Sequence, residues 1–179
     1  MSRIGKKPIP IGSEIEVKIE DRDVSVKGPR GRLSWALAQG VDIAVENESI
    51  HVRRSGDSPA LRALHGLTRA ELQNIVNGVT KGYEKTLELT GVGYRAQLQG
   101  QVLTLNVGFA HPILLDIPSG VEASIEKQVA ITIRGIDKRL VTQVAADIRQ
   151  VRPPDVYKQK GIKYAGEALR KKAGKTGKK

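Results

Sequence analysis

The chain repeats itself, and that limits its possible folds more than any other feature. Gly28 falls opposite Gly108, Val41 opposite Val121, and Ile50, Val52 and Arg53 opposite Ile131, Ile133 and Arg134, at an offset of about 80 in 179 residues. Self-similarity at a fixed period marks one supersecondary unit built twice. Each copy opens with short runs of period two, the signature of half-buried strands. In the first copy these are Ile15, Val17 and Ile19; Val24 and Val26; Leu33, Trp35 and Leu37; Val41, Ile43 and Val45; and Ile50 with Val52. In the second, Leu87 and Leu89, then Tyr94, Ala96 and Leu98, lead to a tight hairpin at Gln99-Gly100, after which four more alternating runs end at Ile133.

Each copy closes with a helix. Ser58 reads as an N-cap with Pro59 at the first helical position, and apolar residues at helical spacing run from Leu61 to Val79, with Gly78 as the expected stop. In the second copy Asp137 is positioned to cap a stripe of Leu140, Val141, Val144, Ala145, Ile148 and Val151, and Pro153 ends it. The predicted fold class is therefore α+β: two tandem similar domains, each an antiparallel sheet packed with one helix, generated by an internal repeat. The expected boundaries are 1–82, with a basic N-terminal arm; 83–152; and 153–179, a basic strap and tail. The arm over residues 1–12 is expected to lie extended on a partner and to be disordered alone.

Charge indicates the partner. Lys plus Arg number 30 against 19 acidic residues, a net charge of +11. From Arg152 onward, ten basic residues face Asp155 and Glu167, a local balance of +8 that holds most of the excess. A polyanion is the expected ligand. Pro153 and Pro154 fix φ and direct the chain away from the helix along an extended path. Lys158, Lys160 and Lys163 then follow, interleaved with Tyr157 and Tyr164, while Gly161 allows close approach. The candidate RNA-binding residues are Arg152, Tyr157, Lys158, Lys160, Gly161, Lys163, Tyr164, Arg170, Lys171, Lys172 and Lys175. For Tyr157 and Tyr164 two roles stand open: contact with RNA, or pinning the strap to the second domain.

Other chemistries find little support. The chain has no cysteine, which removes disulfides, thiolate zinc sites and thiol catalysis. His51, His65 and His111 fall in a strand, a helix and a loop, without metal or triad spacing. Gly91-Val92-Gly93 has neither the third glycine nor the following helix of a phosphate-cradling loop, and reads as a tight turn or bulge. No catalytic residue, metal or cofactor is expected. Both helices carry core-facing stripes and no basic recognition face, so DNA is not the expected partner. The N-terminus lacks an apolar signal region and no run is long enough for a membrane span, which predicts a cytosolic protein. Trp35 shares a face with Leu33 and Leu37 and is expected in the core, and Phe109 is also expected inside. With so few aromatics free, folded RNA would be recognised by shape, through phosphates and 2′-hydroxyls.

The segment Pro154-Asp155-Val156-Tyr157-Lys158-Gln159-Lys160-Gly161-Ile162, followed by Lys163-Tyr164-Ala165-Gly166-Glu167, resembles the C-terminal signature of the bacterial-type family of the sixth protein of the large ribosomal subunit. So do Met1 to Ile9, the Val26-Lys27-Gly28-Pro29-Arg30-Gly31 turn and Gly91-Val92-Gly93-Tyr94-Arg95-Ala96, so the likeness spans the chain. Gln159 departs from it, standing where that family usually has Gly or Ala. The resemblance implies two similar α+β domains and a structural role on 23S rRNA near the base of the factor-binding stalk. It also implies ribosomal protein neighbours, elongation factors acting close by, and a cytoplasmic, ribosomal location.

Overall fold

The computed structural model describes residues 4–46 and 48–174. It divides into two compact units, one of residues 1–83 with 136–138, the other of residues 84–135 with 139–179.

The first unit contains strands β1 (Ile9–Pro10), β2 (Glu16–Glu20), β3 (Asp23–Gly28), β4 (Gly31–Ala36), β5 (Val41–Glu46) and β6 (Ser49–Arg54), then helix α1 (Pro59–Thr80). They form two three-stranded sheets, ordered β2-β3-β4 and β1-β6-β5. The alternation read from sequence becomes a register that sets Val24 opposite Trp35 and Val26 opposite Leu33, so the apolar side chains of neighbouring strands share one face. Helix α1 covers that face. Leu72, Ile75, Val76 and Val79 join Val24, Val26, Ile50 and Val52 in one core, and Trp35 packs against it as expected.

Ser58 caps α1 as its sequence predicts, its hydroxyl accepting the Leu61 N–H at 3.3 Å. The stop lies later than expected, because the helix runs through Gly78 to Thr80. Its terminal carbonyls are satisfied beyond that point, where the Gly82 N–H donates to Gly78 O at 3.0 Å and Gly82 itself takes φ 77°. That left-handed step is the usual work of glycine just past a helix end, and it turns the chain directly into the next strand.

The N-terminal arm also differs from expectation. Ile9 is fully buried and pairs with Ile50, making β1 the edge strand of its own unit. Arg69 on α1 donates to the carbonyl oxygens of Lys7 and Pro8. Burial of Ile9, the pairing with β6 and the Arg69 hydrogen bonds together hold an arm whose composition reads as disordered.

The second unit contains β7 (Tyr83–Thr90), β8 (Arg95–Gln99), β9 (Val102–Asn106), β10 (Ile113–Asp116), β11 (Val121–Glu126), β12 (Ala130–Gly135), helix α2 (Lys138–Val151) and β13 (Gly161–Tyr164). Its sheets are ordered β8-β9-β10 and β11-β12-β7-β13. Strand for strand this is the first unit again, with β7, β12 and β11 standing for β1, β6 and β5. The predicted hairpin closes with Gln99 opposite Val102 and Gly100 at φ 63°.

Two departures from the repeat shape the second unit. Strand β13 has no counterpart in the first copy and pairs with β7 on the edge that β1 leaves open. The β3–β4 hairpin stays paired to Gly28 and Gly31, whereas the matching stretch 107–112 leaves the ladder. Gly108 at φ 80° and Pro112, which has no N–H to donate, account for that opening. Both departures lie in the unit that carries the basic strap.

Truncating the buried arm residue tests its place in the core. Ile9→Ala is expected to lower unfolding free energy by about 2–4 kcal/mol, measured by urea denaturation; a change near zero would mean that the arm contributes nothing to the unit.

Candidate nucleic-acid interface

The strap begins where α2 must stop. Pro153 and Pro154 cannot continue the helix, and the chain folds back on itself at once instead of running on extended. Asp155 organises this turn: one carboxylate oxygen, Oδ2, accepts the Tyr157 N–H at 3.2 Å and the Lys158 N–H at 2.9 Å. Its backbone accepts the Gln159 N–H and donates to Lys160 O, each at 2.9 Å. At the base of the turn the Ile162 N–H donates to Arg152 O at 2.8 Å. Gln159 sits at φ 57°, a left-handed conformation that favours glycine. The Gln159 side chain answers with a hydrogen bond, Nε2 to Leu169 O at 3.3 Å.

Gly161 is buried, and its missing side chain is required by the chain itself. A Cβ there would lie 2.6 Å from Pro154 Cα and 2.7 Å from Pro153 O, and φ is 147°. The glycine lets the turn close on the proline pair. Beyond it β13 adds to the sheet, with Gly161 opposite Thr90 and Tyr164 opposite Leu87, and Ile162 fully buried.

This folding sorts the candidate cations. Arg152, Lys158 and Lys160 are exposed and have no carboxylate partner among the described residues. Lys163 is different: it stands across from Glu88 and pairs with it at 2.9 Å. Arg170, Lys171 and Lys172 are exposed on a tail that returns over the turn, the Lys172 N–H donating to Val156 O at 3.0 Å. Lys175 lies outside the described residues.

The two tyrosines part company. Tyr157 is 52% exposed. Tyr164 is half-buried, with the Arg149 guanidinium 5.6 Å and the Lys85 ammonium 5.9 Å from its ring centre. Glu167 completes that cluster. Arg149 grips its carboxylate with two nitrogens, Nη2 to Oε1 at 2.6 Å and Nε to Oε2 at 3.2 Å, and the Tyr164 N–H donates to Oε2 at 3.0 Å. Tyr164 thus sits where it pins the strap to α2.

Phe109 was expected inside, and the structure overturns this. It is 45% exposed in the opened 107–112 stretch, with the Arg152 guanidinium 5.0 Å from its ring centre. The alternation argument fails here because the residue follows Gly108 and lies off any strand. Its neighbourhood was likewise illegible. The Gly91–Tyr94 turn, closed by the Tyr94 N–H on Gly91 O at 3.3 Å, lies at the same end of the sheet, because Thr90 pairs with Gly161. Arg95 is exposed just beyond it.

No group of three potential metal ligands exists among the described residues. His65 is buried in the first unit, its Nε2 2.9 Å from Val52 O and its Nδ1 3.4 Å from an Arg54 nitrogen. Arginine only donates, so Nδ1 accepts and the proton sits on Nε2. That histidine ties α1 to β6.

Fold and surface together describe a class: a repeat-built α+β scaffold with one cationic, loop-built end suited to a polyanion. Comparison with known proteins narrows it. The model of the ribosomal protein L6 family matches twice, over residues 9–82 and 90–165, the second match taking in the strap. Proteins named large ribosomal subunit protein uL6 are similar along the whole chain: 51% identical in Syntrophomonas wolfei, covering 99% of both chains, and 50% in Rippkaea orientalis and 53% in Clostridium botulinum strain Langeland, each covering 100% of both. The chain belongs to the ribosomal protein L6 family, in its bacterial form.

The Arg149 contact, with help from the Tyr164 N–H, holds the Glu167 carboxyl below its ordinary value of 4.5. A depressed folded-state value means stability that is present above the unfolded value and lost as pH falls through the folded one. Thermal unfolding followed from pH 7 downward should therefore show the strap's anchorage weakening below about pH 4.5. Glu167→Gln should be less stable than the native protein at neutral pH and converge with it in acid. Parallel curves at every pH would rule out this contact as the cause.

Proposed function

We infer that the protein is a structural, non-catalytic constituent of the large ribosomal subunit that holds 23S rRNA through its second unit. The observation that carries this reading is a backbone locked in place by Asp155, Gly161 and the β13–β7 pairing, from which Lys158 and Lys160 project with no carboxylate partner among the described residues, beside the exposed Arg152. Cations held on a rigid turn neutralise phosphates with little further ordering of the chain, and each phosphate contact displaces bound counterions. Arg170, Lys171 and Lys172 extend the charged track along the returning tail, and Lys175 continues it in sequence. Lys163 adds less, since Glu88 already answers its charge. Gly161 serves the RNA contact indirectly, by letting the turn close. The family supports a cytoplasmic place on the ribosome, beside other large-subunit proteins and near the base of the factor-binding stalk, where elongation factors act.

Replacing Lys158 and Lys160 together by Ala in the full chain is expected to weaken binding to large-subunit rRNA. It should also reduce the salt dependence by about one unit of log–log slope per lost phosphate contact. Lys163→Ala should change the slope by less. Unaltered affinity and slope in the double variant, read by filter binding across a salt series, would refute the strap as the RNA contact.

A further inference from the structure

We propose that the Phe109–Arg152 pair is a stacking seat for an unpaired base of the rRNA, separate in chemistry from the lysines that take phosphate. The proposal rests on the RNA-binding reading and assigns one part of that surface a different ligand feature. A guanidinium is planar and weakly hydrated, so it stacks on an aromatic face on one side and can receive a nucleobase on the other. Arg152 lies over that face within cation–π reach, its guanidinium carbon 5.0 Å from the Phe109 ring centre, while remaining exposed.

Three features hold this pair in place. The Arg152 carbonyl is tied to Ile162 N, so the arginine's backbone is set by the same closure that forms the turn. Phe109 follows Gly108, whose φ of 80° swings it out of the β9 ladder, and the Tyr94 ring packs against that glycine. Next to Tyr94, Val92 is 93% exposed at the tip of its turn. An aromatic ring and a β-branched side chain left in the open beside a cationic turn supply apolar area that phosphate cannot use. A stacked duplex offers phosphates and groove edges but no free base face, whereas loops and bulges of folded RNA do. The unpaired nucleotide is therefore the feature this pair fits.

The test uses the full chain against two probes: deproteinised large-subunit rRNA and a fully paired RNA duplex of random sequence. Phe109→Leu keeps the apolar bulk and removes the π face, and Arg152→Lys keeps the charge and removes the plane. Each should weaken rRNA binding about tenfold, as expected for loss of one stacked base, while leaving the salt slope and duplex binding as in the native protein. Phe109→Tyr should bind like the native protein. The proposal is overturned if Phe109→Leu and Arg152→Lys both keep native rRNA affinity, or if both probes lose affinity equally. Should Phe109→Leu fold poorly by thermal unfolding, Arg152→Lys decides alone. Loss of rRNA preference in the native protein, or an inert Lys158/Lys160 double variant, would instead sink the RNA-binding reading itself.

Discussion

The pairing of β13 with β7 is the interaction on which the basic surface depends. Backbone hydrogen bonds along four residues, with Ile162 buried at their centre, take a segment of +8 local charge and fasten its root to a sheet. Without that edge, the lysines beyond Pro154 would sample many conformations, and a polyanion would have to order them on binding. With it, the entropy is lost during folding of the unit. Gly161 is the contact that permits this, because any side chain there would collide with the proline pair that starts the turn.

The same pairing divides the charges into two groups. Lys163 and Arg149 have carboxylate partners in Glu88 and Glu167, and these pairs fasten the strap to β7 and α2. Lys158, Lys160 and Arg152 are exposed and have no carboxylate partner among the described residues. Sequence spacing alone treats Lys158, Lys160 and Lys163 as one cluster. Strand geometry separates them, since a residue inside a ladder faces a defined neighbour and a residue in a turn faces solvent.

The repeat explains why this architecture can carry such a feature. Both units solve the same packing problem with the same strand order, so the second unit's additions fall at its periphery and leave its core intact. Strand β13 occupies the edge of β7 that β1, the counterpart of β7, leaves free in the first unit, and the 107–112 stretch opens a hairpin that the first unit keeps closed. Both changes lie where the ladder ends, the region in which a sheet tolerates departures at least cost.

What the amino-acid sequence determined by itself was whatever depends on local periodicity and punctuation. Two α+β units, their strands other than β1 and β13, the Ser58-Pro59 helix start, the Gln99-Gly100 hairpin and the break at Pro153 all follow from neighbours a few residues apart. The concentration of charge after Arg152 was equally plain. The tertiary structure alone decided the fate of residues whose partners are distant in sequence. Ile9 enters the core because Ile50 receives it, and Lys163 is compensated because β13 lies beside Glu88. Phe109 is exposed because Gly108 turns it off its strand toward Arg152. Periodicity reports which face a residue takes within its own element, but carries no information on which other element arrives to cover that face.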